Sequence, residues 1–217
     1  MFPIKRCVIV CAGEFTPLLA PVEETDLVIA ADGGLRHLQQ MSLCPHVILG
    51  DFDSLGYIPE GAEVHPVEKD DTDTMLAIKK GLDAGCDTFL LYCGLEGRRV
   101  DHTMANFQAL QYLSQRGARG YLIGKEQMVT TITDGTLTFP QGCSGYLSVF
   151  AMGCDAQCVT IRGAQYELEN APLTSGYPLG VSNQFVGEPV TIAVKNGTLL
   201  LIWDRENGFD IHKEGTP

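Results

Sequence analysis

Long hydrophobic runs are missing from this chain: none approaches the roughly 20 apolar residues that a membrane-spanning helix requires. The apolar run inside MFPIKRCVIVCAGEF is too short for a signal h-region and has no convincing small-residue cleavage site, so a cytoplasmic protein with no membrane partner is expected. Basic residues are scarce. Fifteen Lys and Arg against 27 Asp and Glu leave a formal net charge of −12, which excludes a nonspecific nucleic-acid binder needing a basic face. Cysteine is not scarce, but no two stand as C-x-x-C, the pair of a zinc ribbon or thioredoxin-like motif. Cys7, Cys11, Cys44, Cys86, Cys93, Cys143, Cys154 and Cys158 mostly lie within or beside apolar segments, and buried free thiols are expected. Internal repeats and low-complexity linkers are also lacking. What remains, 45% hydrophobic and 19% charged over 217 residues, is an ordinary globular composition with enough apolar material for a substantial core.

The first part of the chain alternates two patterns. RCVIVCAG, DLVIAADGG, HVILGDFDS, DTFLLYCG and RGYLIG are short apolar runs ending in Gly or Asp. Between several of them LRHLQQM, TDTMLAIKKGLDAG and HTMANFQALQYLSQRG carry apolar residues at three- and four-residue spacing. Strand and helix in alternation predict a parallel α/β sheet, with functional loops at the strand ends. After about residue 125 the pattern changes to MVTTITDGTLTFP, GYLSVFAMG, VTIRGAQYEL, GEPVTIAVKNG and TLLLIWD, which are strand-like and divided by Gly, Asp-Gly or Asn-Gly turns. The expected organisation is an α/β domain over 1–125 and an antiparallel all-β sandwich or barrel over 126–217, with ligand contacts from both.

Chemistry concentrates in the acids. VILGDFDSL empties a buried-looking strand into Asp51 and Asp53, at the end where parallel sheets place ligands. EKDDTDTMLAIKKGL adds Asp70, Asp71 and Asp73, with Thr72 or Asp71 able to cap a helix that starts near Asp73. Such acids also favour the positive end of a helix dipole; for Asp73 we favour metal binding. Asp32 closes the second strand in ADGG. In GLEGRRVDHTMANFQAL, Gly94 and Gly97 permit close backbone approach to phosphate, Arg98 or Arg99 can bind phosphate oxygens, and Asp101 starts the next helix, where it can cap or ligate. His102 at a helix start is read as packing rather than catalytic. Convergent carboxylates suit a hard ion such as Mg²⁺, which takes remaining ligands from substrate phosphates, and so point to phosphoryl or pyrophosphoryl transfer.

The ordered set ADGG (31–34), GDFDS (50–54), KDDTD (69–73), RRVDHTMANF (98–107) and GVSN (180–183) resembles the thiamine pyrophosphokinase family over nearly the whole chain. The resemblance implies a Rossmann-like α/β domain that binds ATP and Mg²⁺, followed by a β-sandwich that binds thiamine. It implies transfer of the terminal pyrophosphate of ATP to the hydroxyethyl oxygen of thiamine, giving thiamine diphosphate and AMP. By similarity Asp51, Asp53, Asp73 and Asp101 are metal and catalytic acids. Asp32, Gly33, Lys69, Asp70, Thr72 and Arg99 fall at the nucleotide, Arg99 also serving catalysis, and Ser182, Asn183 and Phe185 at thiamine. A homodimer is implied as well. The family pattern is not matched everywhere: Gly97 is followed by Arg98 where two glycines are common, and Met75 stands where an acid is common. GVSN is expected to be a loop, with Phe185 near enough to stack on a cationic ring.

In that reaction the alcohol attacks the β-phosphorus as AMP leaves, and the negative charge gathered is offset by Mg²⁺ and Arg99. Two other readings remain at this level. A haloacid-dehalogenase-like phosphatase would use the first Asp of D-x-D as a nucleophile, but its motif normally follows the first strand and here follows the third. A noncatalytic nucleotide or thiamine sensor would not need so much clustered charge.

Overall fold

A computed structural model describes residues 6–68, 70–208 and, as backbone, 212–214. The chain forms two compact units, one running to Leu113 and taking in Gly117–Lys125, the other made of Ser114–Arg116 and the chain from Glu126 onward.

In the first unit the apolar runs become strands β1 (Arg6–Val10), β2 (Leu27–Ala31), β3 (Val47–Gly50), β5 (Thr88–Tyr92) and β6 (Arg119–Ile123), joined by a two-residue β4 (Glu63–Val64). They pair in parallel in the order β6-β5-β1-β2-β3-β4. In β1, β2, β5 and β6 all residues after the first are buried, as expected of strands covered on both faces. Three helices, α1 (Gly34–Gln40), α2 (Asp73–Asp83) and α3 (Val100–Ser114), follow the apolar periodicity. On α2, Thr74, Ala77, Ile78 and Gly81 form one buried stripe. Its start is set by Thr72, an extended residue whose Oγ1 accepts from the Met75 N–H at 3.2 Å.

At the edge where the strands begin, Arg6 and Asp26 pair. Arg6 Nε donates to Asp26 Oδ1 at 2.8 Å and Nη2 to Oδ2 at 2.6 Å, with the Asp26 side chain 1% exposed. Oδ2 also accepts from the Glu23 N–H. Because parallel strands all point one way, their other ends, and the loops after β1, β2, β3, β5 and β6, lie at the opposite edge.

The second unit holds β7 (Gln127–Thr133), β8 (Thr136–Phe139), β9 (Tyr146–Ala151), β10 (Ala156–Arg162), β11 (Leu168–Leu173), β12 (Gly180–Gln184), β13 (Val190–Ala193), β14 (Thr198–Asp204) and β15 (His212–Glu214). Its strands pair antiparallel in the orders β12-β9-β14-β7 and β11-β10-β13-β8-β15. Buried and half-buried residues alternate along β8 and β13. Phe139 on β8 meets Trp203 on β14 edge-on, ring centroids 5.4 Å apart, and Phe185 at 5.0 Å.

GVSN is not a loop. Gly180–Gln184 is a strand paired with β9, with a register shift between Gly180 and Asn183 and Ser182 at φ 57°. A bulge absorbs the turn-forming residues that made the segment read as irregular. All eight cysteines are free; Cys44, Cys154 and Cys158 are exposed and the other five buried. Among the described residues no helix is long and apolar enough to cross a membrane.

Candidate active site

Asp32 stands immediately after β2 in a left-handed conformation, φ 48°, its N–H donating to Leu49 O at 2.8 Å. It is 8% exposed. One carboxylate oxygen, Oδ2, accepts from Ser54 Oγ at 2.6 Å; the other, Oδ1, is buried and takes no hydrogen bond. Gly50 closes β3 against it at φ 149°, where an added Cβ would lie 3.0 Å from Asp32 Cα. That close approach brings Asp51 beside Asp32.

Asp51 is half-buried and its Oδ1 accepts from the Asp53 N–H at 3.3 Å. The next residue, Phe52, is left-handed at φ 60° and 2% exposed, so its ring anchors the turn from inside. Asp73, first residue of α2, completes a group: Asp32, Asp51 and Asp73 each offer an oxygen, all within 4.8 Å of one another. Three carboxylates this close repel unless a cation intervenes, and an all-oxygen donor set suits a hard divalent ion. The orphaned buried Oδ1 of Asp32 fits the same ligand, because burying an unsatisfied carboxylate oxygen is costly.

The other residues expected at the site are placed as follows. Asp53 is exposed and contributes its backbone N–H to Asp51. Asp70 is exposed, while Asp71 pairs with Lys79 at 2.6 Å and Thr72 is occupied as the cap of α2. Lys69 lies outside the described residues. Arg99 and Asp101 engage each other: Nε donates to Oδ1 at 2.9 Å and Nη2 to Oδ2 at 2.6 Å, both side chains about two-thirds exposed. The guanidinium holds the Asp101 carboxyl down to about 2, so it stays charged throughout the neutral range. Asp101 is thus matched to Arg99 and stands apart from the trio.

Three supports carry no sequence expectation. Ser54 bonds Asp32. Asn106 on α3, 5% exposed, donates to Gly94 O at 2.8 Å and holds the glycine loop after β5. Lys125 donates from Nζ to Glu14 Oε2 at 2.8 Å and from its backbone N–H to Glu96 Oε1 at 2.6 Å, tying together the loops after β1, β5 and β6. Ser54 and Asn106 both lie inside quoted motifs, so motif membership was the available signal. Cys11 Sγ lies 3.5 Å from Thr74 Oγ1, joining β1 to the start of α2; burial pushes this thiol up to about 12, which makes it a packing group and no nucleophile.

In the second unit a cleft of about 230 Å³ is lined by Ile161, Tyr166, Leu168, Leu179, Val181 and Asn183 among others. Asn183 is 3% exposed: Oδ1 accepts from the Tyr166 and Gln184 N–H groups at 2.9 Å, and Nδ2 donates to Tyr166 O at 2.7 Å. Its amide therefore fixes Tyr166 at the cleft. Ser182 is exposed on the bulge, its N–H donating to Ser148 Oγ. Phe185, 7% exposed, packs its ring on Phe139 and is absent from the cleft wall.

Comparison with known proteins matches residues 20–122 to the family model "Thiamin pyrophosphokinase, catalytic domain" and 136–199 to "Thiamin pyrophosphokinase, vitamin B1 binding domain". A curated thiamine pyrophosphokinase of Bacillus subtilis (strain 168) is 28% identical over 189 residues, covering 83% of this chain and 88% of that protein. The crystal structure of a Bacillus subtilis thiamine pyrophosphokinase superposes with a TM-score of 0.81 at 26% identity, over 92% of this chain and 98% of the other. A thiamin pyrophosphokinase family protein from Enterococcus faecalis gives 0.76 at 26% identity, with coverage of 92% and 98%. The Candida albicans enzyme, at 13% identity and TM-score 0.72 over 92% and 89%, shares the fold.

Proposed function

The chain belongs to the thiamin pyrophosphokinase family, whose activity transfers pyrophosphate from ATP to thiamine to give thiamine diphosphate and AMP, and on that premise we propose how its residues divide the work. Asp32, Asp51 and Asp73 hold a divalent cation, Mg²⁺ by donor chemistry, with Asp53 serving Asp51 through its backbone. The observation that carries this is the meeting of three carboxylates within 4.8 Å around an oxygen of Asp32 that has no other partner. When bound, the cation neutralises charge on the phosphate oxygens. The protein's own part is to hold those oxygens in place and to supply positive charge where charge gathers. Arg99, with Nε and Nη2 engaged by Asp101, brings its remaining Nη1 donors to phosphate, and Gly33, Asp70 and Thr72 flank the nucleotide. We read the parallel unit as Rossmann-like and the two antiparallel sheets, joined through Phe139 and Trp203, as a sandwich.

The cleft of the second unit takes thiamine. Ser182 presents its hydroxyl from the bulge, Asn183 positions Tyr166, and Phe185 buttresses the strand from the core. Exposed Tyr146, Tyr177, Leu179 and Val186 in this unit support a homodimer, which sedimentation checks. Incubation with ATP, Mg²⁺ and thiamine should yield AMP and thiamine diphosphate one for one. Phosphate release from phosphoesters without thiamine would instead mark a phosphatase, and tight binding without turnover a sensor.

Deleting the Asn183 amide frees the backbone of Tyr166 and leaves buried partners unpaired. For Asn183→Ala the expected loss in kcat/KM for thiamine corresponds to about 1–3 kcal/mol, with the KM for ATP little changed. Ser182→Ala, losing one exposed group, should fall at or below the bottom of that range. Kinetics with each substrate varied in turn decide it; equal losses for both substrates would move thiamine away from this cleft.

A further inference from the structure

Ser54 has no assigned part in the reaction, and its surroundings point to one. Its hydroxyl carries a single proton, donated to Asp32 Oδ2 at 2.6 Å. Asp32 Oδ1 then remains as the buried oxygen with no donor. The hydroxyl is held in place by its neighbours on both sides. Phe52 and Leu55 are buried at 2% and 6%, and Arg36 Nη2 on α1 donates to Leu55 O at 3.0 Å, pinning the turn to the helix that follows Asp32. Residue 33 must be glycine for this arrangement, since a Cβ there would stand 2.9 Å from Ser54 Oγ.

We propose that Ser54 is a positioning residue for the metal site: it engages Oδ2 of Asp32, stops the carboxylate from turning, and reserves Oδ1 for the cation. A carboxylate ligand whose second oxygen is already bonded has lost its rotational freedom before the ion arrives, and such outer partners commonly set metal affinity 10- to 100-fold. The inference rests on the metal reading of the three aspartates given above.

The test titrates Mn²⁺, as a spectroscopic substitute for Mg²⁺, into the protein and follows free ion by electron paramagnetic resonance. Ser54→Ala should bind Mn²⁺ about 10- to 100-fold more weakly than the wild type. Ser54→Thr, which keeps the hydroxyl and adds a methyl at an exposed residue, should stay within about threefold. In turnover, Ser54→Ala should need proportionately more Mg²⁺ for half-maximal rate while the KM for thiamine is unchanged, a split that general loosening of the fold would not produce. Equal Mn²⁺ affinity in Ser54→Ala and wild type overturns the role of Ser54 while leaving the metal site standing. Threonine as weak as alanine does the same. A wild type that binds no Mn²⁺ overturns the metal reading and this inference with it.

Discussion

Asp73→Asn is expected to lower kcat about 100- to 1,000-fold, the range seen when one preorganised electrostatic contact to a transition state is removed. Asparagine keeps the shape and one neutral oxygen but removes a charge from the group formed with Asp32 and Asp51. The backbone at this position does not depend on that charge, because Thr72 caps the helix and Thr74 is buried beneath it. Without ligands, the melting temperature should therefore stay close to that of the wild type, since the cap that starts the helix is untouched. Adding Mg²⁺ with ATP should raise the melting temperature of the wild type by mass action on the native state, and that of the mutant much less. Turnover across a Mg²⁺ titration, run beside thermal melts, makes the comparison. A mutant with full activity and ordinary Mg²⁺ dependence would remove Asp73 from the site.

The largest effect on stability is expected far from the chemistry, at Arg6. Arg6→Met leaves the Asp26 carboxylate, with a side chain 1% exposed, without the guanidinium that bonds both its oxygens. Among the described residues only the Glu23 N–H then remains bonded to it. Breaking a buried pair by removing one partner typically costs about 3–5 kcal/mol. The Arg6 side chain is 18% exposed, so water screens the pair only weakly. The double replacement Arg6→Met with Asp26→Leu should recover most of the loss, because it leaves no uncompensated charge. The only tryptophan, Trp203, reports on the β-rich unit, so amide hydrogen exchange in β1 and β2 is the appropriate probe. A loss below about 1 kcal/mol, typical of solvent-screened pairs, would mean that solvent already reaches Asp26. The folded mutant should keep its catalytic rate, since Arg6 and Asp26 lie where β1 and β2 begin, whereas Asp32 and Asp51 lie where β2 and β3 end and Asp73 at the start of α2.

By itself, the sequence determined β1, β2, β3, β5, β6 and the three helices of the parallel unit, because each is announced locally: an apolar run ended by Gly or Asp, or apolar residues returning every three or four positions; the exposed pair of β4 carries no such signal. The cap of α2 was narrowed to Thr72 or Asp71 for the same reason, and the structure chose Thr72. The family was legible as well, since its motifs are short local stretches whose order survives in the chain. β11 and β12 were not legible. Their residues are mostly half-buried or exposed and carry no apolar alternation, and GVSN reads as a turn until β9 supplies the pairing that makes it a bulged strand. Nor could the sequence choose among the acids. Asp53, two residues from Asp51, has its side chain exposed, while Asp32, from a different strand, joins Asp51 and Asp73; Asp101 is taken up by Arg99. Only the tertiary structure decided these matters. Which strand end lies beside which is set by the order of the sheet, and that order comes from pairings between distant segments, whereas a periodicity records only what its own few residues bury.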